Sequence, residues 1–197
     1  FAYLDTQYYG GIKKYQWVTM PLALHGVIAK KDGTVVKVNI GEDPSDPVFF
    51  ISDLLVHLAQ DQMQLTAAKL IDGENMDIVF GTQPLDSESE SAVKANILKL
   101  LKDKYDVEED DFWSAEIEAV PAGRAREAGL DRSLILGYGH DDRSCAYASA
   151  IALFEVENPK TTTCGLFVDK EEIGSYGATG MQSHFFENIV RELLDRL

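Results

Sequence analysis

The sequence predicts an α/β fold with two differently built halves, and three observations carry that expectation. Val36, Val38 and Ile40 alternate with polar residues behind an Asp32-Gly33 pair, which is the pattern of an antiparallel hairpin. Cys145, Ala148, Ile151 and Phe154 recur every third residue, and Phe185, Phe186, Ile189, Val190, Leu193 and Leu194 follow at helical spacing. Between these two helical patterns, "TTTCGLFVD" reads as a continuous apolar strand.

Taken in order, "LHGVIAKKDGTVVKVNI" from Leu24 to Ile40 is the hairpin, its turn glycine free to take positive φ. "GEDPSDPVFF" supplies two prolines and a loop, after which Ser52 caps a predicted helix carrying Leu54, Leu55, Leu58 and Leu65. "MDIVFG" is a short strand, "DSESESA" a solvated acidic linker, and a second helix runs from about Ser91 to Lys104. That half is α+β. Beyond "FWSAEIEAVPAGRAREAGLDRS" the order becomes loop, helix, buried strand, loop, helix, as in an α/β sandwich whose ligands gather at the carboxyl ends of strands. Cys145 and Cys164 take apolar positions and are expected in the core.

Composition narrows the function. The chain has 197 residues, 45% hydrophobic and 26% charged, the balance of a folded protein. Its 18 Lys and Arg against 33 Asp and Glu give a formal net charge of -15, which disfavours nucleic acid and anionic membranes as partners and favours divalent cations. No apolar run reaches the roughly 18 residues of a membrane span. The two cysteines lack C-x-x-C spacing, so no disulfide framework or thiolate zinc site is expected, and a reducing cytoplasm is the expected compartment. The chain starts at Phe1 rather than Met and stops at Leu197 inside a helical pattern, which suggests a piece of a longer protein.

Two acidic pairs stand out. "FVDKEEIGSYGATG" sets Glu171 beside Glu172 where the apolar run ends, and "GHDDR" sets Asp141 beside Asp142 before a helix about thirty residues upstream. Each pair has a plain reading, a solvated loop for the glutamates and a helix cap for the aspartates. Gathered at one sheet edge, the carboxylates would have to protonate or be neutralised by cations, and an oxygen-rich site for one or two divalent ions is the usual outcome. The glycines of "GSYGATG" allow a tight loop and close backbone approach to a ligand.

"GYGHDDRSCAY" and "LFVDKEEIGSYGATGMQSHFFEN" resemble the zinc aminopeptidases of the aspartyl aminopeptidase and vacuolar aminopeptidase I family, particularly its bacterial members. "YYGGIKKYQWVTMPLALHG" and "SAEIEAVPAGRAREAGLDRSLI" look like that family's passage into and out of an oligomerisation domain. The resemblance implies a partial three-layer zinc-peptidase core plus an inserted α+β, β-rich oligomerisation domain. Residues 1–16 would end a catalytic segment, 17–112 would form the insert, and 113–197 would be part of the α/β catalytic domain. Asp141 would bridge two metal ions, Glu172 would bind one of them, and Glu171 would be the general base. A cis peptide is expected after Asp141. His140 and Asp142 would stand behind the metal ligands, and His57 would reach a neighbouring subunit's active site.

The implied cofactor is Zn2+, two per site in the intact parent, with Co2+ or Mn2+ possible. The family's upstream histidine ligand and its downstream aspartate and histidine ligands have no counterpart here, so this chain alone is expected to be inactive. The implied partners are peptide substrates and other copies of the chain, which would pair as dimers within a larger homo-oligomer. The preferred N-terminal residue stays open. Two other readings remain: a non-catalytic oligomerisation module, and a divalent-metal phosphohydrolase using the same carboxylates.

Overall fold

A computed structural model describes residues 1–85 and 91–196. The acidic linker expected at "DSESESA" falls almost wholly outside them. The chain divides into two compact units, Phe1–Tyr8 with Ile12–Arg124 and Tyr9–Gly11 with Ala125–Leu197. Both are mixed α/β with small sheets.

Unit 1 is organised by the predicted hairpin. Strands β2 (Leu22–Ala29) and β3 (Val35–Ile40) pair antiparallel with Leu24 opposite Ile40 and Ala29 opposite Val35. The turn closes through Lys30 N–H to the Thr34 carbonyl at 2.8 Å and through the Asp32 carboxylate, which accepts from Thr34 N–H at 2.8 Å. On the other side of β2 lies β6 (Ala115–Pro121), also antiparallel. At that seam a Cβ on Gly26 would stand 2.0 Å from the Glu116 carbonyl oxygen, so only glycine lets the two backbones approach this closely.

A second antiparallel sheet has the order β1 (Ala2–Leu4), β5 (Ile78–Gly81), β4 (Phe50–Ile51). The predicted helix is α1 (Ala92–Tyr105), which ends on Asp106 at φ 54. Gly81 lets α1 pack closely on this sheet, since a Cβ there would meet the Ile97 Cδ1 at 2.4 Å. Leu22, Leu24, Ile40, Phe49, Ile51 and Ile78 form the buried core, with Phe80 stacked on Phe49 at 5.3 Å. Each fully buried aliphatic side chain contributes about 1.5–3 kcal/mol.

The helix expected after Ser52 is absent. Residues 52–65 form turns and a short 3-10 segment, Gln62–Gln64, and Leu54, Leu55, Leu58 and Leu65 are exposed. The reason lies in Asp53, whose carboxylate accepts from Leu54 N–H at 2.8 Å and from the Gln62 side-chain amide at 3.0 Å. Nine residues of α-helix would separate those positions by about 13.5 Å. Only Ala59 in this stretch turns into the core. The acidic "VEEDDF" segment is tied into the fold. Glu108 and Asp111 form a reciprocal capping box on the 3-10 turn Glu109–Ser114, and Val107 beside them is buried.

Unit 2 contains a small hairpin, β7 (Arg126–Ala128) and β8 (Leu134–Leu136), followed by α2 (His140–Phe154) and α3 (Phe185–Arg196). Both helices lie where their periodicity places them. The expected strand at 161–169 does not form, because a strand exists through pairing and no described segment is hydrogen-bonded alongside it. Phe154 is 82% exposed, and Cys145 and Cys164 are exposed rather than core. Burial needs an opposing layer, and the described residues of this unit do not build one. Among the described residues no helix is long and apolar enough to cross a membrane.

Candidate functional site

The "GHDDR" loop opens α2 irregularly. Gly139 takes φ 78, and Asp141 (φ -89, ψ 116) and Asp142 (φ -111, ψ 19) are not helical. The Asp141-Asp142 peptide is cis, where the resemblance places it. Neither aspartate caps the helix: α2 opens on Gly139, and among the described residues no hydrogen bond is made to the carboxylate of Asp141 or Asp142, the side-chain bonds at this helix start being those of His140, Arg143 and Ser144. The plain cap reading therefore fails, leaving two carboxylates on an open hollow of about 400 Å³ lined by Tyr138, Gly139, His140, Asp141, Asp142 and Arg143. His140 Nε2 lies 3.2 Å from the Ile135 carbonyl, and Arg143 donates to the Tyr138 carbonyl at 3.4 Å. Both cationic or polar neighbours are thus turned onto backbone.

The Glu171-Glu172 pair occupies a single 3-10 turn, Glu171–Ile173, entered by Lys170 at φ 72 and left by Gly174 at φ 87. The Lys170 carbonyl accepts from Ile173 N–H at 3.3 Å and from Ser175 N–H at 2.7 Å, and the Glu171 carbonyl accepts from Gly174 N–H at 2.9 Å. The Gln182 side-chain amide donates to the Gly174 carbonyl, and its backbone N–H reaches the Ser175 carbonyl at 3.2 Å. Successive residues of a 3-10 turn point about 120° apart, so the two exposed carboxylates diverge. One of the loop's glycines serves the loop itself: a Cβ on Gly180 would lie 2.1 Å from the Ser175 carbonyl oxygen. Lys170 shapes this turn through its backbone carbonyl and Gln182 through its side-chain amide on the Gly174 carbonyl, contacts that no local sequence pattern announces.

Asp141, Glu171 and Glu172 all belong to unit 2, whereas His57 is on the exposed 52–65 loop of unit 1. Among the described residues no group of three or more His, Cys, Asp or Glu side chains comes together to hold a metal ion. The remaining histidines do other work. His25, on β2, has its Nε2 2.9 Å from the carboxylate of Glu42 just beyond β3, and His184 lies 3.5 Å from Glu187 one helical turn on.

Comparison with known proteins adds an independent finding. A family model described as aminopeptidase I zinc metalloprotease (M18) matches residues 1–196. A probable M18 family aminopeptidase 1 of Clostridium acetobutylicum is 59% identical over 98% of this chain and 42% of its own length. The crystal structure of an M18-family aminopeptidase from Thermotoga maritima superposes with a TM-score of 0.89 at 48% identity, covering 99% of this chain and 43% of that one. Aminopeptidase I from Clostridium acetobutylicum superposes with a TM-score of 0.87 at 56% identity, over 98% and 43% of the two chains. This chain spans less than half the length of the relatives it matches.

Proposed function

Because this chain belongs to the M18 family of aminopeptidase I zinc metalloproteases, we propose that the whole protein of which it is part releases N-terminal amino acids from peptides. The observation that carries this reading is the pair of carboxylate loops in unit 2. One is freed from helix capping, and the other is folded so that adjacent glutamates diverge.

Asp141 and Glu172 fit zinc as oxygen donors, exposed and within one compact unit, but as part of a ligand set rather than a closed one. Zinc, when bound, supplies Lewis acidity at the scissile carbonyl and lowers the pKa of the attacking water. Asp141 and Glu172 would hold the metal through their carboxylate oxygens. Glu171 points away from Glu172 and takes the proton of the attacking water, then delivers it to the nitrogen of the leaving amine. The N-terminal residue left behind departs as a free amino acid. The remaining donors would come from the rest of the parent, as would the strands that turn 161–169 into part of a three-layer core. Two zinc ions per site, with Co2+ or Mn2+ as substitutes, belong to the same proposal.

Residues 17–112, all within unit 1, would serve as the assembly domain, pairing copies into dimers of a larger homo-oligomer in the cytoplasm. The exposed apolar residues Leu54, Leu55, Val56 and Leu58 flank His57 and suit burial against another subunit. From there His57 would serve the neighbour's substrate. The experiment that tests the reading is turnover by the intact parent on an aminoacyl peptide and on a phosphoester. Release of the amino acid with no phosphoester cleavage is expected, and the reverse would transfer the carboxylates to phosphohydrolase chemistry.

A further inference from the structure

The residues Tyr9–Gly11 belong to unit 2, although the chain from Ile12 to Arg124 does not. They lie against the Glu171-Glu172 turn. A Cβ on Gly10 would stand 3.5 Å from the Glu172 Cβ, ordinary contact distance, so the Gly10 backbone runs beside the turn about one carbon's width away. The Lys170 ammonium lies over the Tyr9 ring at 5.1 Å from its centroid, within the range of a cation–π contact. It also stands 3.4 Å from the Asp169 carboxylate, and the Lys170 side chain is only 10% exposed beside two exposed glutamates.

Lys170 is the residue on which the turn is hung. Its carbonyl receives both the Ile173 and Ser175 amides, and this is possible because Lys170 adopts φ 72, a left-handed conformation unfavourable for a residue with a Cβ. An anchored side chain offsets that cost. We propose that Tyr9 is a positioning residue for Glu171 and Glu172, acting through Lys170: the ring face holds the ammonium, the held side chain keeps Lys170 left-handed, and the left-handed carbonyl folds the glutamate turn. This rests on the aminopeptidase reading of that turn. The hydroxyl of Tyr9 has no part in it.

The test uses the full-length parent with Tyr9→Leu, Tyr9→Phe and Lys170→Met. Hydrogen exchange of the Ile173 and Ser175 amides is read first, in metal-free protein. Tyr9→Leu and Lys170→Met should speed exchange by about tenfold and Tyr9→Phe by less than about twofold, since phenylalanine keeps the ring face. In the zinc-loaded enzyme, Tyr9→Leu should lower kcat by about tenfold with KM within about twofold, because the general base is displaced while the substrate pocket is not. Wild-type exchange in Tyr9→Leu or Lys170→Met, or a Tyr9→Phe variant as fast as Tyr9→Leu, would overturn the proposal. A wild-type parent that hydrolyses no peptide would sink the functional reading instead, while exchange alone still decides whether Tyr9 shapes the turn.

Discussion

In unit 1, Leu22 and Ile78 are 0% and 2% exposed within a core closed by two small sheets, whereas in unit 2 no residue of α2 or α3 is fully buried and several apolar ones face outward, Phe154 at 82% and Leu194 at 66%. The two units are equally regular in secondary structure. They differ in what holds them: unit 1 by burial, unit 2 by local hydrogen bonds and helix periodicity. The acidic loops sit in the second kind of unit. Their geometry is therefore set by backbone chemistry of their own, by Gly139, Lys170, Gly174 and Gly180, rather than by pressure from a core.

Truncating the core gives the largest expected effect on this contrast. Leu22→Ala should destabilise this chain by about 2–5 kcal/mol in urea unfolding, because it opens a cavity in a closed core. Leu194→Ala should change it by less than about 0.5 kcal/mol, because Leu194 is 66% exposed and so has little buried surface to lose. In the full-length parent the Leu194 cost should rise toward that of a core leucine. Equal costs for the two variants in the present chain would end the contrast.

Two glycines sharpen it. Gly26→Ala forces a Cβ onto the Glu116 carbonyl across the central sheet and should cost unit 1 about 1–3 kcal/mol in thermal unfolding. Gly180→Ala forces a Cβ onto the Ser175 carbonyl, yet it should leave that transition unchanged while exposing the Gln182 amide to faster exchange. A drop in the unit 1 transition for Gly180→Ala would show that the units are not separately held. Smaller again is the effect of His57→Ala in the parent: unchanged subunit mass by light scattering, with turnover slowed by about tenfold. Wild-type turnover would make His57 an ordinary loop residue of unit 1.

The smallest effect is electrostatic. Asp106 accepts from Lys102 and Lys30, which together lower its pKa from 3.8 to about 2. Unfolding restores the ordinary affinity for a proton, so the stabilisation is complete above pH 3.8 and disappears as pH falls through about 2. Asp106 and Lys102 are exposed and only Lys30 is largely covered, so the effect is modest and screened by salt. Asp106→Asn should flatten the acid limb of unit 1 stability between about pH 4 and 2. An unchanged limb would assign it to other carboxylates.

The elements legible in the sequence are those that depend on near neighbours. The β2–β3 hairpin follows from Asp32-Gly33, α1 falls within a residue of its expected bounds, and both acidic loops stand out as motifs. Strand β6 was within reach, since Ala115, Ile117 and Ala119 alternate with Glu116 and Glu118, and so was the β7–β8 hairpin around Gly129 and Asp131. The stripe at Leu54, Leu55 and Leu58 misleads because amphipathic spacing makes a helix only where a surface receives it, and Asp53 and Gln62 fold the segment back instead. The apolar run at 161–169 misleads for a related reason: pairing is a property of two segments, and only one is described here. The contact of Tyr9 with Lys170 joins residues at opposite ends of the chain, which no local pattern encodes.

The central claim is the division of labour between two adjacent glutamates, and the direct measurement is metal content alongside turnover in the intact parent. Glu171→Gln keeps shape but cannot accept a proton, so it should retain wild-type zinc and lose roughly a hundredfold or more in turnover. Glu172→Ala should instead lower zinc occupancy. Zinc lost from Glu171→Gln and kept by Glu172→Ala would contradict the account.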